Sequence, residues 1–319
     1  MRNHRRTYLN CLIAASIACG LAAPRAAAEG GNAIFNDLLQ RGVPFGGNFR
    51  KLRTPTLPDG LNAAAQQQAI APILQLKPGA KPTFKQFTDS NLNAPHVLVI
   101  DDLAPPFGGA NQPGHSIDLW FVVWGDLDKI MAPAFLKAQF QPDSKDRIDA
   151  LKPEELPSEI KVQQIPGGKD YFAHGQFTIF PNDQRFRVAA TAHAIQTLNQ
   201  DSGTLAALID PRFNQNAKFP NECRPVLRGA NGNVLSDPKG QPQLGQPALY
   251  TSAGGYVKIT KLAQPAGALF VEYHLVYDEP AAWFGGNPNS LRSKLPTKTG
   301  DDVRAFRRKA KAASAEEKK

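Results

Sequence analysis

The stretch Ala268-Leu-Phe-Val-Glu-Tyr-His-Leu-Val-Tyr-Asp278 decides the reading of the fold. Its odd positions are Leu269, Val271, Tyr273, Leu275 and Tyr277, while Glu272, His274 and Asp278 fall among the even ones. Side chains alternate between the two faces of a strand, so this period of two predicts a β-strand with an apolar face on the core and a polar face outside. Burying each large apolar side chain contributes roughly 1.5–3 kcal/mol. Such a strand should anchor a sheet.

The flanking sequence supplies its neighbours. Residues 256–262 read as a strand that turns through Gln264-Pro-Ala-Gly267 into the opening stretch, and Asn231-Gly232 is a hairpin signal. The chain carries 27 prolines, yet residues 182–210 contain none. Proline is kept out of central strands, so the middle of the sheet is expected there, with 186–198 returning antiparallel as 203–209. Earlier, 97–100 reads as a short strand buried on both faces, and 116–124 is apolar on both faces, as an interior strand would be. Successive hairpins favour antiparallel pairing.

Helical patterns come first in the chain. Residues 32–41 form an amphipathic pattern stopped by Gly42, and 61–76 form a second, with Asp59 as candidate cap and Pro72 inside. A third, 126–140, is bent at Pro133. The fold class expected is α+β, N-terminal helices followed by a mainly antiparallel β-sheet or sandwich. The divisions expected are a signal peptide at 1–28, a helical segment at 29–90, a β-rich domain at 91–285, and a loop with a basic tail at 286–319.

Arg2, Arg5 and Arg6 precede an apolar run from Leu9 to Ala23 and the small residues Ala26-Ala27-Ala28. That order describes a secretory signal peptide cleaved after Ala28, which puts the mature protein outside the cytoplasm, secreted or periplasmic. Ser16 stands three residues before Cys19, where a lipid-anchor signal would carry a large aliphatic residue. With Cys11 and Cys19 in the signal, Cys223 remains alone and forms no intramolecular disulfide. The net charge of +9 belongs to the chain ends: setting aside residues 1–28 and 304–319 leaves 26 basic and 26 acidic residues in the body. A neutral body argues against a nucleic-acid partner. Residues 301–319 read as a solvated tail, or as an arm onto an envelope polymer or another anionic surface.

Two constellations are candidates for chemistry. His174, His193, Glu272 and His274 lie on strand patterns, and three imidazoles with one carboxylate are enough in kind for a metal site or acid–base catalysis. Trp120 and Trp124 lie on one strand face roughly 13 Å apart at about 3.3 Å per residue. With Asp118 beside them they would form a ligand-binding platform if exposed, or pack beneath a helix if not. Phe-Gly-Gly recurs at 45–47, 107–109 and 284–286 in turn-like surroundings. No catalytic residue or cofactor is assigned, because the sequence has no Gly-x-Ser-x-Gly, His-Glu-x-x-His, phosphate-binding loop or Cys-x-x-Cys.

The signal together with Asp118-Leu-Trp-Phe-Val-Val-Trp-Gly-Asp-Leu-Asp128 and Leu208-Ile-Asp-Pro-Arg-Phe213 resembles uncharacterised exported proteins of planctomycete-type bacteria. The resemblance implies export and no particular activity. The function expected is a non-catalytic binding or structural component of the envelope. The alternative is a secreted metal-assisted hydrolase that uses the strand histidines and Glu272.

Overall fold

The computed structural model describes residues 31–45, 47–103, 114–140, 147–179, 186–278 and 289–315. The signal segment and the Phe-Gly-Gly loops at 107–109 and 284–286 lie outside them.

The opening stretch is a strand over its whole length, Ala268–Asp278, designated β12. It pairs antiparallel with β11 (Ala253–Lys261) on one edge and β4 (Gly114–Trp124) on the other. Outward from β4 lies β3 (Val97–Leu103); outward from β11 come β8 (Ser202–Ile209) and β7 (Phe186–Leu198). At thirteen residues, β7 is long enough to hold two partners end to end, β9 (Glu222–Pro225) and then β8, along one edge. Its other edge takes β6 (Gly168–Ile179), which pairs β5 (Arg147–Ala150), while β10 (Ala248–Leu249) closes on β9. The result is one antiparallel sheet of ten strands, with a separate hairpin of β1 (Val43–Phe45) and β2 (Asn48–Arg50). The α+β class holds. Helices are nevertheless spread along the chain.

Three helices precede the sheet: α1 (Ala33–Gln40), α2 (Ala63–Leu76) and α3 (Phe84–Phe87). Asn32 caps α1, accepting from the Phe35 N–H at 2.9 Å, and donates to the Ile195 carbonyl, which docks the helix on β7. Asn62 caps α2, not the expected Asp59, whose carboxylate is engaged elsewhere. Between β4 and β5 lie α4 (Leu127–Ile130) and α5 (Pro133–Phe140); Pro133 opens α5, where its missing N–H costs nothing. The last is α6 (Asn289–Ala315). The segment expected as loop and solvated tail is thus a helix lying on β4, with Leu295, Val303, Phe306 and Ala310 buried. No helix among the described residues is long and apolar enough to cross a membrane.

Both faces of the sheet are covered. The odd-numbered side of β4, β11 and β12 forms the largest core with α4, α5 and α6, through residues such as Phe121, Ile259, Val271 and Phe306. The even-numbered side is roofed by the N-terminal segment. Leu57, Ile70 and Leu74 cover Trp120 and Phe270, while Phe35, Leu38 and Phe45 cover Tyr256 and Val276. Gln66 of α2 ties that roof down, donating to the Lys261 carbonyl and accepting from the Ala263 N–H. Every position of β12 is therefore buried, and the expected outward polar face does not exist. The short strand expected to be buried on both faces, β3, is instead a sheet edge with Asp101 and Asp102 exposed.

Candidate functional site

Antiparallel register places two rows of side chains side by side on the roofed face. One runs Tyr256, His274, Asp118, Val99, and the next runs Lys258, Glu272, Trp120, Val97. His274 stands between two carboxylates. Its Nδ1 is 2.6 Å from Asp118 Oδ1 and its Nε2 is 3.5 Å from Glu272 Oε2. The rings of Trp120 and Tyr256 flank the imidazole at 5.3 and 4.8 Å between centroids. Glu272 and His274 are 0% exposed.

Residues 51–60 form a strap of irregular structure that closes this row through five polar contacts. Arg53 Nε donates to Asp118 Oδ2. The Thr56 N–H donates to Glu272 Oε2 at 2.7 Å, and its hydroxyl accepts from Trp120 Nε1 at 3.1 Å. Tyr256 donates its hydroxyl to the Arg53 carbonyl at 2.7 Å. Asp59 pairs with Lys258 Nζ at 3.0 Å and also accepts from Asn199 and Ser202. Buried charge is costly unless paired and hydrogen-bonded, and here each cation meets a carboxylate.

These contacts set the ionisation. Burial opposes a charged His274, but the hydrogen bond to Asp118 and the negative charges of Asp118 and Glu272 outweigh it and raise its pKa above the ordinary 6.5. Burial likewise opposes the Asp59 carboxylate, and the bonds from Asn199, Lys258 and Ser202 reverse that and lower its pKa. The row is a carboxylate–imidazolium–carboxylate unit. It fastens the strap, with Glu272 and His274 fully enclosed and only the Arg53 side of Asp118 lying next to solvent.

A second pair lies on β6 and β7. His193 Nε2 is 2.6 Å from Asp170 Oδ1, the other Asp170 oxygen accepts from the Gln163 N–H, and the imidazole stacks on Phe172 at 4.3 Å. At 22% exposure it is the most accessible of the three candidate imidazoles. His174 is bonded through Nδ1 to Thr191 Oγ1 at 2.8 Å, and Thr191 donates its own proton to the Phe219 carbonyl. Nδ1 must therefore carry the hydrogen, and burial pushes this neutral histidine down to about 4.

The metal constellation expected from His174, His193, Glu272 and His274 is not assembled. Glu272 and His274 adjoin, but β8 and β11 intervene between them and the two histidines of β6 and β7, three strand steps of about 4.8 Å each from β7 to β12. Among the described residues no group of three or more His, Cys, Asp or Glu is placed to hold a metal ion. The ligand platform of Trp120 and Trp124 is corrected as well. Trp120 is buried with the α2 core and Trp124 donates to the Thr88 carbonyl, so both lie packed beneath the roof; Asp118 serves His274 and Arg53. Cys223 is buried, and burial pushes its thiol up to about 12, which makes it inert. Sequence reasoning missed Arg53, Thr56, Asp59, Asp170 and Lys258. Lys258 alone carried a signal, a cation in mid-strand opposite Glu272 once β11 and β12 are paired.

No known protein family matches the chain, and no curated protein does. Among solved structures, an uncharacterized protein from Rhizobium leguminosarum aligns over 66% of this chain and 98% of its own at 12% identity. The TM-score is 0.28, which carries no argument about fold or chemistry.

Proposed function

We propose that the protein is an exported bacterial envelope component with a binding or structural role, and that the Asp118–His274–Glu272 row is a staple holding its N-terminal roof on the sheet. One observation carries this reading: Asp118 divides its two oxygens between His274 and the strap's Arg53, and Glu272 Oε2 accepts from the strap's Thr56 N–H. Export rests on the basic and apolar N-terminal segment, and the near-neutral body disfavours nucleic acid. On α6, Lys298 and Arg304 pair with Asp302 and Asp301, which leaves Arg308 and Lys311 exposed for an anionic envelope polymer. The test is His274→Gln in the mature chain. The variant should lose stability and open the strap to proteolysis, without loss of any catalytic turnover. A variant as stable as the wild type that has lost a hydrolytic activity would refute the reading.

A second reading, acid–base hydrolysis, is favoured only by the Asp170–His193 pair, whose imidazole is oriented by a buried carboxylate and partly open to solvent. Loss of a turnover in His193→Asn with an unchanged Tm would establish it.

A further inference from the structure

We infer that Arg53 occupies a guanidinium-binding site in cis, and that the protein accepts a guanidinium group from another molecule there when that side chain swings out. The seat has three parts. The Trp120 ring forms one wall, 5.9 Å from Arg53 Cζ. Asp118 forms the floor and accepts from Nε. Asp101 stands at the rim, 4.0 Å from Nη2. An aromatic face beside a buried carboxylate suits a planar, delocalised cation that stacks and donates in its own plane; a compact ammonium gains only the charge.

Two further observations separate seat from occupant. The seat belongs to β3 and β4, fixed in the sheet, and Asp118 is held by His274 through its other oxygen. The occupant belongs to the strap and is 45% exposed, with Asp101 at 57% and Asp118 at 4%. The mouth is thus open and the floor is dry. The strap's remaining ties, from Thr56 to Glu272 and Trp120, from Tyr256 to the Arg53 carbonyl and from Asp59 to Lys258, use no atom of the Arg53 side chain. That side chain can leave while the strap stays. A tethered occupant competes at an effective concentration on the order of millimolar or higher, so an outside ligand is disfavoured until Arg53 is displaced or removed.

The inference concerns this seat alone and does not depend on the envelope role. It is tested with the mature chain as wild type and as Arg53→Ala, titrated with methylguanidinium and with methylammonium while the Trp120 indole N–H is followed by NMR. Arg53→Ala should bind methylguanidinium at least tenfold more tightly than the wild type does and tenfold more tightly than it binds methylammonium, with part of the lost Tm recovered. Adding Asp101→Asn should weaken that binding severalfold. Binding of neither probe, or equal binding of both, overturns the inference. Should Arg53→Ala fail to fold, Arg53→Gln keeps the stem and the backbone ties, and the same comparison decides. Free arginine against an arginine tripeptide then assigns the source: tighter tripeptide binding indicates a peptide partner, and equal binding a small molecule. Either supports the seat.

Discussion

Glu272, His274 and Lys258 are ionisable groups buried on adjacent strands, and each faces one or two groups of opposite charge. Removing one partner leaves an uncompensated buried charge, which costs about 3–5 kcal/mol. Lys258→Met takes the cation from Asp59 and should lower the unfolding free energy by about that amount in urea titration; a loss under about 1 kcal/mol would show that Asn199 and Ser202 suffice. Asp278 makes the opposite case. Burial pushes its carboxyl from 3.8 up to about 7. Between those values the folded state holds a proton that the unfolded state has released, so stability falls as pH rises through the interval and stays lower above it. Asp278→Asn should flatten that slope and gain on the order of 2–4 kcal/mol at pH 8. Parallel pH profiles for variant and wild type would contradict it.

At the level of elements, α6 is fastened by a buried cation that meets no carboxylate among the described residues. Arg307 donates from Nε to the Val122 carbonyl at 2.8 Å and from its terminal nitrogens to those of Leu92, Ala94 and Pro95. Burial and the nearby Arg304 lower its pKa to about 10, so it remains charged at neutral pH. Arg307→Met strands these carbonyls and should cost about 2–4 kcal/mol, with faster hydrogen exchange confined to α6 and its contact with β4. An unchanged exchange pattern would show that Leu295, Val303 and Phe306 hold the helix alone. The helix was hidden in the sequence because its buried stripe, Leu295, Thr299, Val303, Phe306 and Ala310, has helical spacing but only three large apolar members. The strand β12 was legible from its period of two, β4 from its apolar character on both faces, and β7 and β8 from the absence of proline between 182 and 210. What the sequence withheld was the other side of β12. Glu272 and His274 read as outward-facing because polar residues usually are, and the strap that buries them has no period of its own. Its fit depends on register across β11, β12 and β4, which no local pattern encodes.

Across the whole molecule the two ends of the described chain close the sheet: residues 31–87 cover one face and α6 the other. The exception is the segment 226–247 between β9 and β10. It folds on itself through bonds linking Leu227, Leu235 and Gln243 in a triangle, turns at Gly232 and Gly240 with positive φ, and leaves most of its residues exposed. Limited proteolysis should cut first within it and leave two fragments associated, because β9 and β11 remain in the sheet. A first cut within 51–60 would mean that the strap is looser than its five contacts imply. That strap, and the charge beneath it, are the centre of this account. They are tested most directly by NMR titration of the His274 ring in isotopically labelled protein. The ring should stay protonated past the ordinary histidine value of 6.5, with an Nδ1 proton that exchanges slowly. A ring that titrates at or below 6.5, or exchanges freely with solvent, would contradict the sealed carboxylate–imidazolium–carboxylate row.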